Sequence, residues 1–288
     1  MADPFEVLRE PARRVDPDPG FAARLRARLE RAVLDPAEAW RGERMSITGT
    51  TLRHGDIGYA SLWTPDVGRA AGFYGEVLGW RYAPGGPPQG RQVEEVAPHF
   101  GMWEGEEPAS VFLAYVVDDL AEAVRRVEAG GGRAQPPAVE PYGVIARCRD
   151  DQGLPFAVYE PRPEAPPAPQ GPRGGDLAYV TIEVPSSAAA RAFYGSVLGW
   201  EFTPGSIPDG WGVHRGGAEI HPMTGMSGGA ERAAVIPMYA VDDIRAAVAK
   251  VRELGGTAEE PQAKPYGRLA ECADDQGTRF YLGELGPA

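Results

Sequence analysis

His214, Glu219 and His221 fall within eight residues and bring two of the chain's four histidines beside a carboxylate, side chains able to move a proton or hold a metal. Glu219 and His221 are two apart on an expected strand, which places them on one face, and His214 lies on the strand beside it. Three such groups could form a divalent-metal site of their own arrangement. Polar groups lining a cavity more often hydrogen-bond a ligand or water, and ligand binding is the expected role. His99 has no partner at ligand spacing and His54 precedes the first expected strand, so both read as loop or surface residues. Cys148 and Cys272 sit 124 positions apart inside apolar strand patterns, which suits small core residues better than a disulfide or a CxxC redox pair. There is no GxSxG elbow and no glycine-rich phosphate loop opening a helix. Aromatic surface is what remains. Tyr59, Trp63, Trp103 and Phe112 in the first half, with Tyr179, Trp211, Met238 and Tyr281 in the second, could line pockets or fill a core.

The elements that must position these residues occur twice. FYGEVLGW at 73–80 returns as FYGSVLGW at 193–200, an offset of 120. YVVDDLAEAV from Tyr115 returns as YAVDDIRAAV from Tyr239, and PYGVIARCRDDQG from Pro141 returns as PYGRLAECADDQG from Pro265, both offset by 124. The second copy therefore gains four residues, expected in the glycine-rich AEIHPMTGMSGGAER. A period this long means tandem domains, because solenoid repeats run to about 20–50 residues.

Within repeat one, Tyr59, Ser61 and Trp63 share a strand face, though Ile57, Ala60 and Leu62 break the alternation. Residues 64–66 cap a helix that buries Phe73, Val77 and Leu78 and ends at Gly79. Strands are expected in RQVEEVA, around HFGMW and in SVFLAYVV. A helix capped by Asp118 or Asp119 follows, then strands in RAQPP, GVIARCR and PFAVYE about a DDQG turn. Each half is thus βαβββ twice over. The expected domains are 53–160 and 176–288, joined by a Pro/Gly-rich extended linker at 161–175 and preceded by an extension, 1–52. That extension carries one helix from Pro19 to about Pro36, with Phe21, Leu25, Leu29 and Val33 in a stripe.

This order of signals resembles the vicinal oxygen chelate superfamily, which includes glyoxalase I, extradiol dioxygenases and bleomycin-resistance proteins. The resemblance implies an α+β fold of two tandem domains, each of paired βαβββ modules forming a half-open, barrel-like sheet around a ligand cavity. It also implies that the two domains pair with each other, as related single domains do. In the enzymes of that group a divalent metal is held by inward-pointing His and Glu side chains with open positions for two substrate oxygens. Carried onto this chain, three of the ligand positions are Tyr59, Phe112 and Ala157 in repeat one and Tyr179, Ile236 and Tyr281 in repeat two, and none is a His or a carboxylate. Glu160 and Glu284 lie at an odd offset from the last of these and face the other way on a regular strand.

A net charge of −12 argues against a nucleic-acid partner, and no apolar run approaches a membrane span. The N-terminal residues show no secretory pattern and the cysteines no disulfide framework, so the expected compartment is cytoplasmic. The expectation is a metal-free small-molecule-binding protein of the resistance or sequestration kind, without a cofactor. A metal-dependent lyase or dioxygenase is the alternative, with a divalent metal as its disfavoured cofactor, and a pseudo-dimeric scaffold with filled cavities is the second. Ligand affinity is expected to depend more on repeat two, where the histidines and the insertion lie.

Overall fold

The duplicated helices begin where a side chain can accept an orphan backbone N–H, and the first of each pair ends where glycine is easiest to accommodate. The computed structural model describes residues 52–105, 109–140, 143–161 and 172–286. Helices α1 (Val67–Leu78), α2 (Leu120–Ala129), α3 (Ser187–Leu198) and α4 (Ile244–Glu253) are capped by Asp66, Asp119, Ser186 and Asp243. Gly79 and Gly199 close α1 and α3 in the left-handed region, at φ 71° and 66°. Asp119, not Asp118, caps α2. Glu160 and Glu284 turn toward the helices, where their carboxylates accept from the first amides of α2 and α4, Leu120 N at 2.6 Å and Ile244 N at 3.0 Å. The helix expected over residues 19–36 lies outside the described residues, as do residues 162–171 of the Pro/Gly-rich segment.

Repeat one forms β1 (Ile57–Thr64), β2 (Gly90–Gln92), β3 (His99–Glu104), β4 (Ser110–Val116), β5 (Arg133–Ala134), β6 (Ala138–Glu140), β7 (Gly143–Arg149) and β8 (Pro155–Pro161). They make one eight-stranded open sheet in the order β2-β3-β1-β4-β8-β7-β5, with β6 beside β7. β1 and β4 pair antiparallel at the centre, and each has a parallel neighbour from its own module, β3 and β8 respectively. Repeat two forms β9 (Leu177–Glu183), β10 (Glu201–Pro204), β11 (Gly210–Arg215), β12 (Ala218–Glu219), β13 (Met223–Ser227), β14 (Ala234–Ala240), β15 (Thr257–Ala258), β16 (Gln262–Lys264), β17 (Gly267–Ala273) and β18 (Arg279–Leu285). Its ten-stranded sheet repeats the order, β10-β11-β13-β9-β14-β18-β17-β15, with β12 beside β11 and β16 beside β17. The architecture is α+β, two tandem domains of paired βαβββ modules with open sheets.

Two local readings need correction. The broken alternation in β1 is a register shift between Ile57 and Tyr59, which lets Ile57, Ala60 and Leu62 all reach the helix side. Gly58 is at that shift because the Tyr159 ring lies against it, and a Cβ there would fall 1.7 Å from the phenol oxygen. The four extra residues of repeat two fall earlier than expected. Gly210 still matches Gly90 at an offset of 120, and His221 already matches Ala97 at 124, so the insertion is in HRGGAEI, the β11–β12 hairpin.

Helices and helix-side strand faces share one continuous core spanning both repeats, from Ile57 and Tyr74 to Phe280 and Leu282. The duplicated motifs meet inside it, each repeat's helix motif against the other's DDQG turn. The buried Tyr74 hydroxyl donates to Asp274 at 3.1 Å, and Tyr194 donates to Asp150 at 3.0 Å. Trp80 and Trp200 donate from their indoles to the carbonyls of Gly175 and Gly55. Gln276 brackets the backbone of Asp66 through both ends of its amide, and Gln152 does the same to Ser186. The aromatic contacts cross as well, with Phe73 edge-on to Phe280 and Phe193 edge-on to Phe156. No described helix is long and apolar enough to cross a membrane.

Two outcomes follow from these contacts. Tyr74→Phe and Tyr194→Phe each keep the ring but strip a buried carboxylate of a donor, so each should lower the unfolding free energy by about 1–3 kcal/mol in urea titrations. A loss within error of zero for both would show that the hydroxyls carry no stability. Burial pushes the Cys148 and Cys272 thiols up to about 12, so native protein at pH 8 should resist Ellman's reagent and release both thiols only on unfolding.

Candidate functional site

With the helices on one side, each sheet keeps its opposite face outside the shared core, and strand parity decides what that face carries. On repeat one, Tyr59, Trp63 and Phe112 come together with Ala114, Val116, Ile145, Ala157 and Tyr159 in a small apolar cluster. Trp63 stacks on Phe112 with ring centroids 4.7 Å apart and planes 13° from parallel. Trp103 is the register partner of Trp63, lies over Gly90 and remains 47% exposed at the rim of the face. His99 is in register with Tyr59 and is exposed.

On repeat two, Tyr179, Met238 and Tyr281 gather with Ala178, Ala240, Leu269 and Leu285. Met238 is the cross-strand partner of both tyrosines. Burial pushes the Tyr179 hydroxyl above its usual range, helped by Tyr266 and Glu219 nearby. Tyr281 is raised by burial first and then by Glu271 and Glu183, with Arg279 opposing them. Arg279 sits two residues before Tyr281 on β18, hence on the same face, and reaches over β14 to Glu183 on β9. The contact is bidentate, at 2.8 Å and 3.1 Å.

Of the remaining expected site residues, Trp211 and His221 leave this face, whereas His214 and Glu219 stay on it, at the β11–β12 hairpin. Trp211 shares its face with Val213, which is buried in the inter-repeat core, so the indole points to the helix side. It donates to Asp209 at 3.0 Å and lies beneath the Arg191 guanidinium, 3.6 Å from the ring centroid. Its assignment to the pocket is overturned. His214 occupies the opposite face of β11, with Nε2 2.9 Å from Thr203 Oγ1, and Glu219 is its register partner on β12. His221 shares no strand with Glu219, because β12 ends there and the His221 main chain docks on repeat one. Its N–H donates to Asp56 at 3.0 Å and its carbonyl accepts from Ile57 at 2.8 Å. Ala97 makes the matching contacts to Asp176 and Leu177, so this joint does not call for an imidazole.

Among the described residues no three His, Cys, Asp or Glu side chains are arranged to hold a metal ion. The positions that the resemblance implies for metal ligands do not supply a chelating set either. Phe112, Ala157 and Ile236 have no side-chain donor atom, and the Tyr59 and Tyr179 hydroxyls lie against Gly101 and Gly225. Elsewhere, a cleft of about 290 Å³ opens on the outer side of α4 between Arg245, Arg252, Glu260 and Arg268. Arg252 is bound to Glu260 and the Ala258 carbonyl and Arg268 to Glu284, so the cleft is a solvated surface feature.

Sequence reasoning missed Glu183, Glu271 and Arg279. The signal was in the comparison of the repeats. Glu183 replaces Trp63 at offset 120, while Glu271 and Arg279 replace Arg147 and Pro155 at offset 124.

Comparison with known proteins agrees with this geometry. The model of the glyoxalase-like domain matches residues 60–159 and again 179–283. The anthracycline biosynthesis protein DauV of Streptomyces sp. (strain C5) is 31% identical over 268 residues, covering 82% of this chain and 95% of its own. DnrV of Streptomyces peucetius, also an anthracycline biosynthesis protein, is 28% identical over the same shares. Among solved structures, the Mn(II)-bound glyoxalase from Novosphingobium aromaticivorans superposes with a TM-score of 0.64 at 17% identity, over 81% of this chain and 83% of that one. The 2,3-dioxygenase LapB from Pseudomonas sp. KL28 gives 0.60 at 16%, over 82% and 94%. At such identities the structural likeness speaks for the fold. The chain belongs to the glyoxalase-like domain family and carries that domain twice.

Proposed function

We propose that this protein binds a small fused-ring aromatic molecule on an open sheet face without the help of a divalent metal. The observation that carries this is the donor set. The six positions compared with the family's ligand sites hold three phenols, two hydrocarbon side chains and a phenyl ring, which suit ring contact and hydrogen bonding rather than chelation. The relatives named for anthracycline biosynthesis align along most of this chain, which favours a polycyclic aromatic ligand. Holding such a molecule, as a resistance or sequestering protein does, needs a shaped face with a few polar anchors.

2-Naphthol serves as a probe of this reading. Its affinity, measured by calorimetry, should stay within twofold when the protein is dialysed against a chelator, and elemental analysis should find no stoichiometric metal. A tenfold loss of affinity that Mn²⁺ or Fe²⁺ restores would overturn the metal-free reading and favour the metal-dependent alternative.

A further inference from the structure

We propose that Glu183 and Arg279 make the open face of repeat two selective for a phenolic hydroxyl, an inference that rests on the aromatic-binding reading above. Arg279 spans from β18 across β14 to reach Glu183 on β9. The bridge passes over Ala234 and Ile236, the register partners of Glu183 and Thr181. Beside it on the same face lie Tyr179, Met238 and Tyr281, which offer ring and thioether surface. The pair stays accessible, with 54% of the Arg279 side chain and 21% of Glu183 exposed.

The bridge leaves hydrogen-bonding capacity unused. A carboxylate has about four lone-pair sites and a guanidinium five N–H groups; the bidentate contact takes two of each and the Tyr281 hydroxyl engages one more N–H, so both partners keep capacity. An acceptor and a donor therefore stand side by side. A phenol matches both, since its O–H donates to the carboxylate while its oxygen accepts from the guanidinium. An anionic ligand is disfavoured, because Glu183 already balances Arg279 and Glu271 adds negative charge near Arg279 and Tyr281. A bare hydrocarbon would leave the pair's remaining groups partly desolvated and unmatched. Repeat one has no such device. Trp63 and Pro155 stand at the matching positions, and Trp63 is stacked on Phe112.

The test compares 2-naphthol, 2-methoxynaphthalene and naphthalene on the full chain by calorimetry at pH 7. The methoxy compound keeps the ring and the acceptor oxygen but cannot donate. Wild-type protein should bind 2-naphthol at least tenfold more tightly than 2-methoxynaphthalene. Glu183→Gln and Arg279→Ala should each shrink that ratio below threefold, whereas Glu183→Asp should keep part of it. Thermal unfolding of each variant guards against misfolding, and the ratio is a readout that a purely structural role would not move. Equal binding of naphthol and its methyl ether by wild type, or an unchanged ratio in both variants, would overturn the inference and leave the aromatic-binding reading standing. Failure of all three compounds to bind would overturn both.

Discussion

Two buried hydrogen bonds, Tyr74 to Asp274 and Tyr194 to Asp150, show the constraint on which the rest of this structure depends. Each joins the helix motif of one repeat to the DDQG turn of the other. Each aspartate also holds its own turn, Asp150 by accepting from Gln152 and Leu154 and Asp274 by accepting from Gln276 and Thr278. Turn geometry and inter-repeat packing thus hang on the same carboxylate. Burial raises Asp150 above the usual carboxylate range, and the backbone donors and the Tyr194 hydroxyl pull against that rise. An aspartate in this setting has little freedom to change, because losing it strands a tyrosine hydroxyl, two amides and a turn together.

That interlock explains where the two repeats are alike and where they differ. Residues that face the shared core keep their kind, as in Tyr74 and Tyr194, Trp80 and Trp200, Phe156 and Phe280, Tyr115 and Tyr239. The open faces carry no such mutual demand, and there the bulk has moved. Ala114, Ala157 and Tyr159 on repeat one correspond to Met238, Tyr281 and Gly283 on repeat two, and Trp63 corresponds to Glu183. One face ends as an aromatic stack and the other as a polar bridge beside phenols. Duplication thus fixed the scaffold while leaving each face able to take its own chemistry.

Much of the scaffold was readable from sequence because its signals are local and repeated. A cap residue, a left-handed glycine and a turn motif each act over a few residues, and seeing them in register twice removes chance agreement. Parity was harder. β1 shifts register beside Gly58, which no alternation rule anticipates, and the insertion sits a few residues before the place where glycine content suggested it. Trp211 was misplaced for the same reason, since six residues of β11 do not reveal which face meets the core. His221 looked chemical because of its side chain, but its main chain makes the inter-repeat contact, as Ala97 does in the twin. The Glu183–Arg279 pair lies 96 residues apart in sequence and two strands apart in space, beyond the reach of any local pattern.

The placement of that pair is itself an argument about what the open face is for. A half-exposed ion pair adds about 0–1 kcal/mol at most, and ordering an arginine across a neighbouring strand offsets part of even that. An apolar pair would cover Ala234 and Ile236 at least as well, and on repeat one Trp63, the counterpart of Glu183, packs on Phe112, the counterpart of Ile236. Stability therefore does not account for charges at this position. Discrimination among similar rings, the role we propose for this face, would account for them, because a donor and an acceptor held side by side penalise any ligand that leaves them unmatched, while a purely apolar face distinguishes rings only by shape.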